Sequence, residues 1–198
     1  MKLEEFAAYQ PELIKEKNCH RASVAVLLQG PAGEERVLFE QRSSRIADQP
    51  GDICLPGGMA EPGESPWETA RRECAEELLL EESQLELIGP LDYLYTGNLL
   101  LTPFLARLAD YRGSFSRDEV AEVFTVPLAF FRDTEPERYS MEWKPQMPED
   151  FPFERIRGGR DYRWRRSTRE VVFYEYGGRT IWGLTAKLMQ SLGEKLRG

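Results

Sequence analysis

The chain reads as short strand-like runs interrupted by turn residues, with two stretches of helical spacing. Residues 21–28 (RASVAVLL) and 36–42 (RVLFEQR) read as strands joined by the turn Gly30-Pro31-Ala32-Gly33. A third short strand at 53–55 leads into Pro56. Further strands fall at 85–88, 91–95 and 99–108, separated by Gly89-Pro90 and Gly97-Asn98. Residues 116–126 form a loop running into a strand, and 127–131 a helical turn. Two more strands, 171–176 and 179–182, flank Gly177-Gly178. Helical spacing begins at Pro66. There Ser65 and Glu68 are set to cap each other, and Trp67, Ala70, Cys74 and Leu78 recur every three or four residues as a core-facing stripe. A second helix over 183–196 places Leu184, Leu188, Leu192 and Leu196 four apart. Strands alternating with one central and one terminal helix predict an α+β protein, a mixed sheet covered on both faces.

The polar side of the central helix carries the candidate chemistry. Glu73, Glu76 and Glu77 stand at i, i+3 and i+4 and project from one face within a turn. Such a cluster is either a solvated charged face or a site for a hard cation, and an all-oxygen donor set suits Mg²⁺ or Mn²⁺. Arg72 is the expected internal partner. The loop just before the helix favours the second reading: Pro56-Gly57-Gly58 and Pro62-Gly63 bring bare backbone to the helix start, where a phosphate oxygen can approach.

The stretch 55–80 resembles the Nudix box, in which a glycine is followed after five residues by glutamate, and after seven more by Arg-Glu, an apolar residue, any residue and Glu-Glu. Gly58, Glu64, Arg72, Glu73, Cys74, Glu76, Glu77 and Leu80 fall on it in register. Leu79 departs, standing where the family has the glycine that helps to end the helix. The resemblance implies the Nudix fold, a mixed β-sheet sandwiched between helices in α/β/α layers. It also implies hydrolysis of a phosphoanhydride with Mg²⁺ or Mn²⁺ on Glu73, Glu76 and Glu77. By the same resemblance Arg72 and Glu64 hold the ligand carboxylates in place. Glu119, in the loop before a strand, is the first candidate for general base, with Glu122 and Glu76 as alternatives and a plain surface role also open.

Composition narrows the partners. A formal charge of −8 argues against a general nucleic-acid binder. Cys19, Cys54 and Cys74 have no Cys-x-x-Cys spacing and read as free thiols of a reducing cytoplasm. No run approaches a membrane span, and the start MKLEEFAAYQPEL lacks the apolar core of a signal peptide. A single domain over 1–198 is expected, monomeric or homodimeric, with an N-terminal arm over 1–20 and an Arg-rich insertion or lid over 135–170. That insertion holds seven arginines between 155 and 169, which read either as a solvated hairpin or as a phosphate-binding lid. His20, the only histidine, has no partner for nucleophilic catalysis in view and reads as a surface or capping residue.

The substrate is argued from outside the box. Residues 38–58 (LFEQRSSRIADQPGDICLPGG) resemble the upstream signature of Nudix hydrolases acting on coenzyme A, with Arg42, Ser43, Gly51, Pro56, Gly57 and Gly58 matching. Ala47 stands where that signature has arginine and Leu55 where it has phenylalanine, and Arg45 is placed to supply the missing charge. The ending RTIWGLTAKLM, 179–189, also looks like this subfamily. The implied substrate-binding residues are Arg42, Ser43, Arg45, Gly57 and Gly58. The implied reaction splits coenzyme A or its thioesters into adenosine 3',5'-bisphosphate and the phosphopantetheine moiety. ADP-ribose or another nucleotide sugar is the alternative substrate, and a catalytically inactive Nudix-fold ligand-binding module the alternative class.

Overall fold

The computed structural model describes residues 18–165 and 167–198. The first seventeen residues of the expected arm, and Arg166 of the basic segment, lie outside the described residues. The chain divides into two compact units, Met1–Pro127 and Leu128–Gly198.

In the first unit the described strands are β1 (His20–Gln29), β2 (Arg36–Arg42), β3 (Ile53–Cys54), β4 (Gly57–Met59), β5 (Leu85–Pro90), β6 (Leu94–Tyr95), β7 (Leu99–Leu108) and β8 (Val120–Pro127), with the helix α1 (Pro66–Leu78) after β4. They form one sheet in the order β3-β2-β1-β7-β5, with β4 on β1, β6 on β7 and β8 on β2. Only the β1–β7 pair is parallel among these described pairings, so the sheet is mixed. Ala25 and Leu27 of β1, Ala106 and Leu108 of β7 and Leu38 of β2 meet Cys74 and Leu78 of α1 in a buried core. Trp67, partly buried at the start of the helix, packs its ring 5.3 Å from that of Phe104. The expected stripe therefore faces the sheet, while of the helix's clustered glutamates Glu77 is itself buried.

Strand β4 has no counterpart in the sequence reading, because Gly-Gly-Met has neither β-branching nor alternation. Pairing with β1 creates it. A Cβ on Gly57 would stand 2.3 Å from the Ser23 carbonyl oxygen and 2.5 Å from Val24 Cα, so only bare backbone fits against β1 there.

The second unit contains α2 (Leu128–Asp133), β9 (Glu137–Trp143), β10 (Ser167–Tyr176), β11 (Arg179–Trp182) and α3 (Gly183–Arg197). Its antiparallel sheet runs β11-β10-β9. Phe131, Val172, Tyr174, Ile181, Ala186, Met189 and Leu192 are buried. At Gly193 a Cβ would meet the Phe131 carbonyl oxygen at 2.2 Å, so α2 and α3 cross with backbone nearly touching. Two details correct the sequence reading. The segment 137–143 is a full strand, unrecognised because every one of its side chains is exposed and only pairing with β10 reveals it. The four-spaced leucine stripe of α3 holds only in its middle: Leu188 and Leu192 are buried while Leu184 and Leu196 are exposed. A spacing of four drifts about 40° per step on a 3.6-residue helix, so its ends leave the buried face to Ala186, Met189 and Gly193.

Both units combine strands and helices, the α+β architecture expected. Among the described residues no helix is long and apolar enough to cross a membrane.

Candidate active site

The helix carrying the glutamates is anchored at both ends. Ser65 accepts from the Glu68 N–H and Glu68 Oε2 from the Ser65 N–H at 2.8 Å, the reciprocal cap that the sequence anticipates. At the other end Leu79 takes the left-handed conformation (φ 49°, ψ 53°), the geometry for which a glycine would be chosen. The loop after β7 supplies what the sequence did not show. The Ser114 hydroxyl donates to the Leu78 carbonyl at 2.7 Å, and the Ser116 N–H to the Glu77 carbonyl at 2.7 Å. The Ser116 carbonyl in turn accepts from the Glu119 and Val120 N–H groups. The loop bearing Glu119 is thus tied to the helix end that bears Glu77.

Arg72 organises one half of the site. Its guanidinium donates to both oxygens of Glu64 (2.7 and 3.2 Å), to Glu76 (3.3 Å) and to the Met59 carbonyl (3.1 Å), and lies 2.9 Å from Glu73. This bond holds the Glu64 carboxyl at about 2, well below its usual range. Glu64 also accepts from the Thr69 hydroxyl and the Glu61 N–H, which fixes the β4–α1 loop over the helix. Gly58 is the floor under Glu73: a Cβ there would fall 2.4 Å from the Glu73 carboxyl.

Glu77 forms the other half. It is buried, and its Oε2 accepts from the Gly57 N–H at 2.8 Å. Beside it lies Glu40 of β2, a buried carboxyl that the sequence reading passed over, although a charge closing the run Val37-Leu38-Phe39 was its signal. Burial raises the pKa of Glu40, and burial together with the charge of Glu40 raises that of Glu77. Glu73 is raised too, mainly by burial and against the pull of Arg72. The exposed Glu119 is near enough for its charge to bear on Glu40, Glu73 and Glu77.

Of the upstream residues Arg42 turns into its own loop, while Ser43 and Arg45 meet the loop of Glu119. Arg42 donates from Nε to the Asp48 carbonyl at 3.1 Å, and its charge also acts on Glu40. Ser43 is buried, its hydroxyl accepting from the Arg45 N–H and its own N–H donating to the Glu119 carbonyl at 2.8 Å. Arg45 pairs with Asp118 at 3.0 Å in the open, a contact that holds little. Glu122 sits within β8, opposite Gln41 of β2. His20 is exposed and donates its N–H to the Asn98 carbonyl. Of the free thiols only Cys74 is buried.

Glu73, Glu76 and Glu77 do not converge on one point, because Arg72 draws the first two while Glu77 turns inward. Among the described residues no three carboxylate, thiolate or imidazole groups form a metal cage. The donor chemistry nonetheless suits a hard cation: every candidate ligand is oxygen, and one buried carboxylate oxygen, Glu40 Oε2, meets no N–H or hydroxyl donor.

Comparison with known proteins agrees with this geometry. The chain is 33% identical over 135 residues to the peroxisomal coenzyme A diphosphatase NUDT7 of Mus musculus, covering 67% of this chain and 56% of that protein. It is 35% identical over 127 residues to the peroxisomal coenzyme A diphosphatase ndx-8 of Caenorhabditis elegans, covering 57% and 51%. With the uncharacterized Nudix hydrolase NudL of Photorhabdus laumondii it shares 27% over 190 residues, covering 94% and 90%. The chain thus spans about half the length of the two coenzyme A diphosphatases. The NUDIX domain model matches residues 20–144, which take in the glycine loop, all of α1 and the loop of Glu119. Since that match runs over more than half of the sequence and contains every carboxylate described above, the chain belongs to the NUDIX domain family.

Proposed function

We propose that the protein is a metal-dependent diphosphohydrolase whose substrate is coenzyme A or an acyl-coenzyme A, cut into adenosine 3',5'-bisphosphate and the (acyl-)4'-phosphopantetheine. The observation that carries the hydrolase reading is the pairing of bare backbone at Gly57 and Gly58 with the carboxylates of Glu77 and Glu73. The two glycines let the carboxylates of Glu77 and Glu73 lie directly against the loop that precedes the helix. Identity of 33% to a mouse protein named as a coenzyme A diphosphatase, together with the Arg42-Ser43 signature, supports the substrate.

Glu73, Glu76 and Glu77 would hold Mg²⁺ or Mn²⁺, which when bound neutralises phosphate charge and makes water more acidic. The chain's own residues do the rest. Arg72 binds Glu64, Glu73 and Glu76, and the Gly57 N–H binds Glu77, so each of these carboxylates has a partner that orients it. Glu119, on a loop tied to the end of α1, takes the proton of the attacking water, and Glu76 is the second candidate for that role. Arg42 is the phosphate clamp of the upstream loop. The three free cysteines support a reducing compartment, the cytoplasm.

The test is kcat/KM for coenzyme A, dephospho-coenzyme A and ADP-ribose, with Mg²⁺ and with Mn²⁺. Coenzyme A leads, its 3'-phosphate gives it an advantage over the dephospho form, and Arg42→Ala removes that advantage. ADP-ribose turned over at least as efficiently as coenzyme A would overturn the substrate assignment.

A further inference from the structure

Glu40 is the residue whose position the reading above leaves unexplained. It lies within β2, paired across to Cys54 of β3 on one side and Val123 of β8 on the other, so the sheet fixes its backbone. The side chain is 1% exposed. Its Oε1 accepts a weak hydrogen bond from Cys54 Sγ at 3.4 Å, and its Oε2 meets no N–H or hydroxyl donor, the carboxyl of Glu77 being a neighbour within hydrogen-bond reach of Glu40. Arg42 gives its Nε to the Asp48 carbonyl instead. A buried carboxylate left this way is strongly disfavoured unless something compensates it.

The neighbour makes the need greater. Glu77, also buried, presents a second carboxyl to the first, and its Oε2 is already engaged by the Gly57 N–H. Two such groups persist side by side only by sharing a proton or by sharing a cation. The surroundings favour the cation. The charges of Glu73 and Glu119 also bear on Glu77, and one proton neutralises one carboxylate where a divalent ion compensates several. Every donor in reach of such an ion except the protonated Cys54 is oxygen, and Mg²⁺ is typically held by just one or two carboxylates, with water and substrate phosphate completing its shell.

We propose that Glu40 is a further ligand of the metal centre, its Oε2 and the Glu77 carboxylate together holding one divalent cation between β2 and α1. The inference rests on the metal-dependent reading of this site. Its test is Mn²⁺ binding to the full chain, followed by the electron paramagnetic resonance of free Mn²⁺ and by the rise in Tm that Mn²⁺ produces. Glu40→Gln is expected to weaken Mn²⁺ binding about tenfold or more and to shrink the Tm rise, the size of effect that loss of a ligand or its immediate support produces. An unchanged Kd and an unchanged Tm rise would overturn the proposal and leave Glu40 as a proton-sharing neighbour of Glu77. Crystals of the parent protein soaked in Mn²⁺ decide the matter without any variant. An anomalous peak within about 2.5 Å of a Glu40 oxygen supports the proposal, and a peak with no Glu40 oxygen at that range overturns it. Diphosphatase activity is read separately: an inactive parent whose Mn²⁺ affinity depends on Glu40 sinks the function and keeps the ligand, and an active parent whose affinity ignores Glu40 does the reverse.

Discussion

Leu79 occupies a left-handed conformation with its side chain 61% exposed, so it bears strain without packing in return. The conformation costs a non-glycine residue about 1–2 kcal/mol, whereas glycine loses about 0.4–1 kcal/mol through its freer unfolded chain. Relief wins. Leu79→Gly should raise Tm by about 2–4 °C, a gain of about 1 kcal/mol for a chain of this size, and leave turnover unchanged; a lower Tm in a thermal melt would mean that Leu79 packs usefully. The glutamates answer to a different measurement. Glu73→Gln and Glu77→Gln keep volume and remove charge, so the melt should hardly move while kcat falls about a hundredfold or more, the loss of a few kcal/mol of transition-state stabilisation. Near-parental turnover in both, together with indifference to EDTA, would reduce this helix face to a solvated one.

Adjacent glycines at the β4–α1 junction serve different elements, and the same substitution separates them. At Gly57 (φ 140°) a methyl group meets the backbone of β1, which cannot yield. Gly57→Ala should therefore destabilise by about 3 kcal/mol through strain and overpacking. At Gly58 the methyl meets the end of the Glu73 side chain, which can swing away. Gly58→Ala should keep the fold but displace the carboxylate, with turnover falling tenfold or more, since an error of about 1 Å at a reacting centre costs up to a hundredfold. Equal losses of Tm in the two variants would show that both positions merely pack. The element α1 is thus a rigid mount, and the short strand before it sets where its carboxylates stand.

On the scale of the whole molecule the charge is −8, and the proposed substrate is itself a polyanion. Against that acidic balance, seven arginines are concentrated between 155 and 169. Part of this run is already engaged within the second unit, where Arg160 lies over the Phe153 ring at 4.7 Å and Arg169 over Trp143 at 4.4 Å. We extend the functional proposal to the remainder: neutralising Arg163, Arg165 and Arg166 together should raise KM for coenzyme A more than it lowers kcat, and added salt should weaken substrate binding in the parent. An unchanged KM in the triple variant would return the segment to a solvated hairpin.

The local rules in the chain were enough for α1, its capping box, its buried stripe and the spacing of Glu64, Arg72, Glu73, Glu76 and Glu77, because each depends on residues within a turn or two of one another. Most strands were legible for the same reason, in apolar runs closed by glycine and proline. What neighbours in space impose was not legible. Gly57-Gly58-Met59 is a strand because β1 accepts bare backbone alongside it, and Glu137–Trp143 is one because β10 pairs with it. Spacing put three carboxylates on one helix face, but it could not foresee Arg72 drawing two of them aside and a strand far upstream in the sequence setting Glu40 against the third. A helical face is a property of 3.6 residues per turn, whereas the partner of a buried charge depends on which distant segment packing brings beside it.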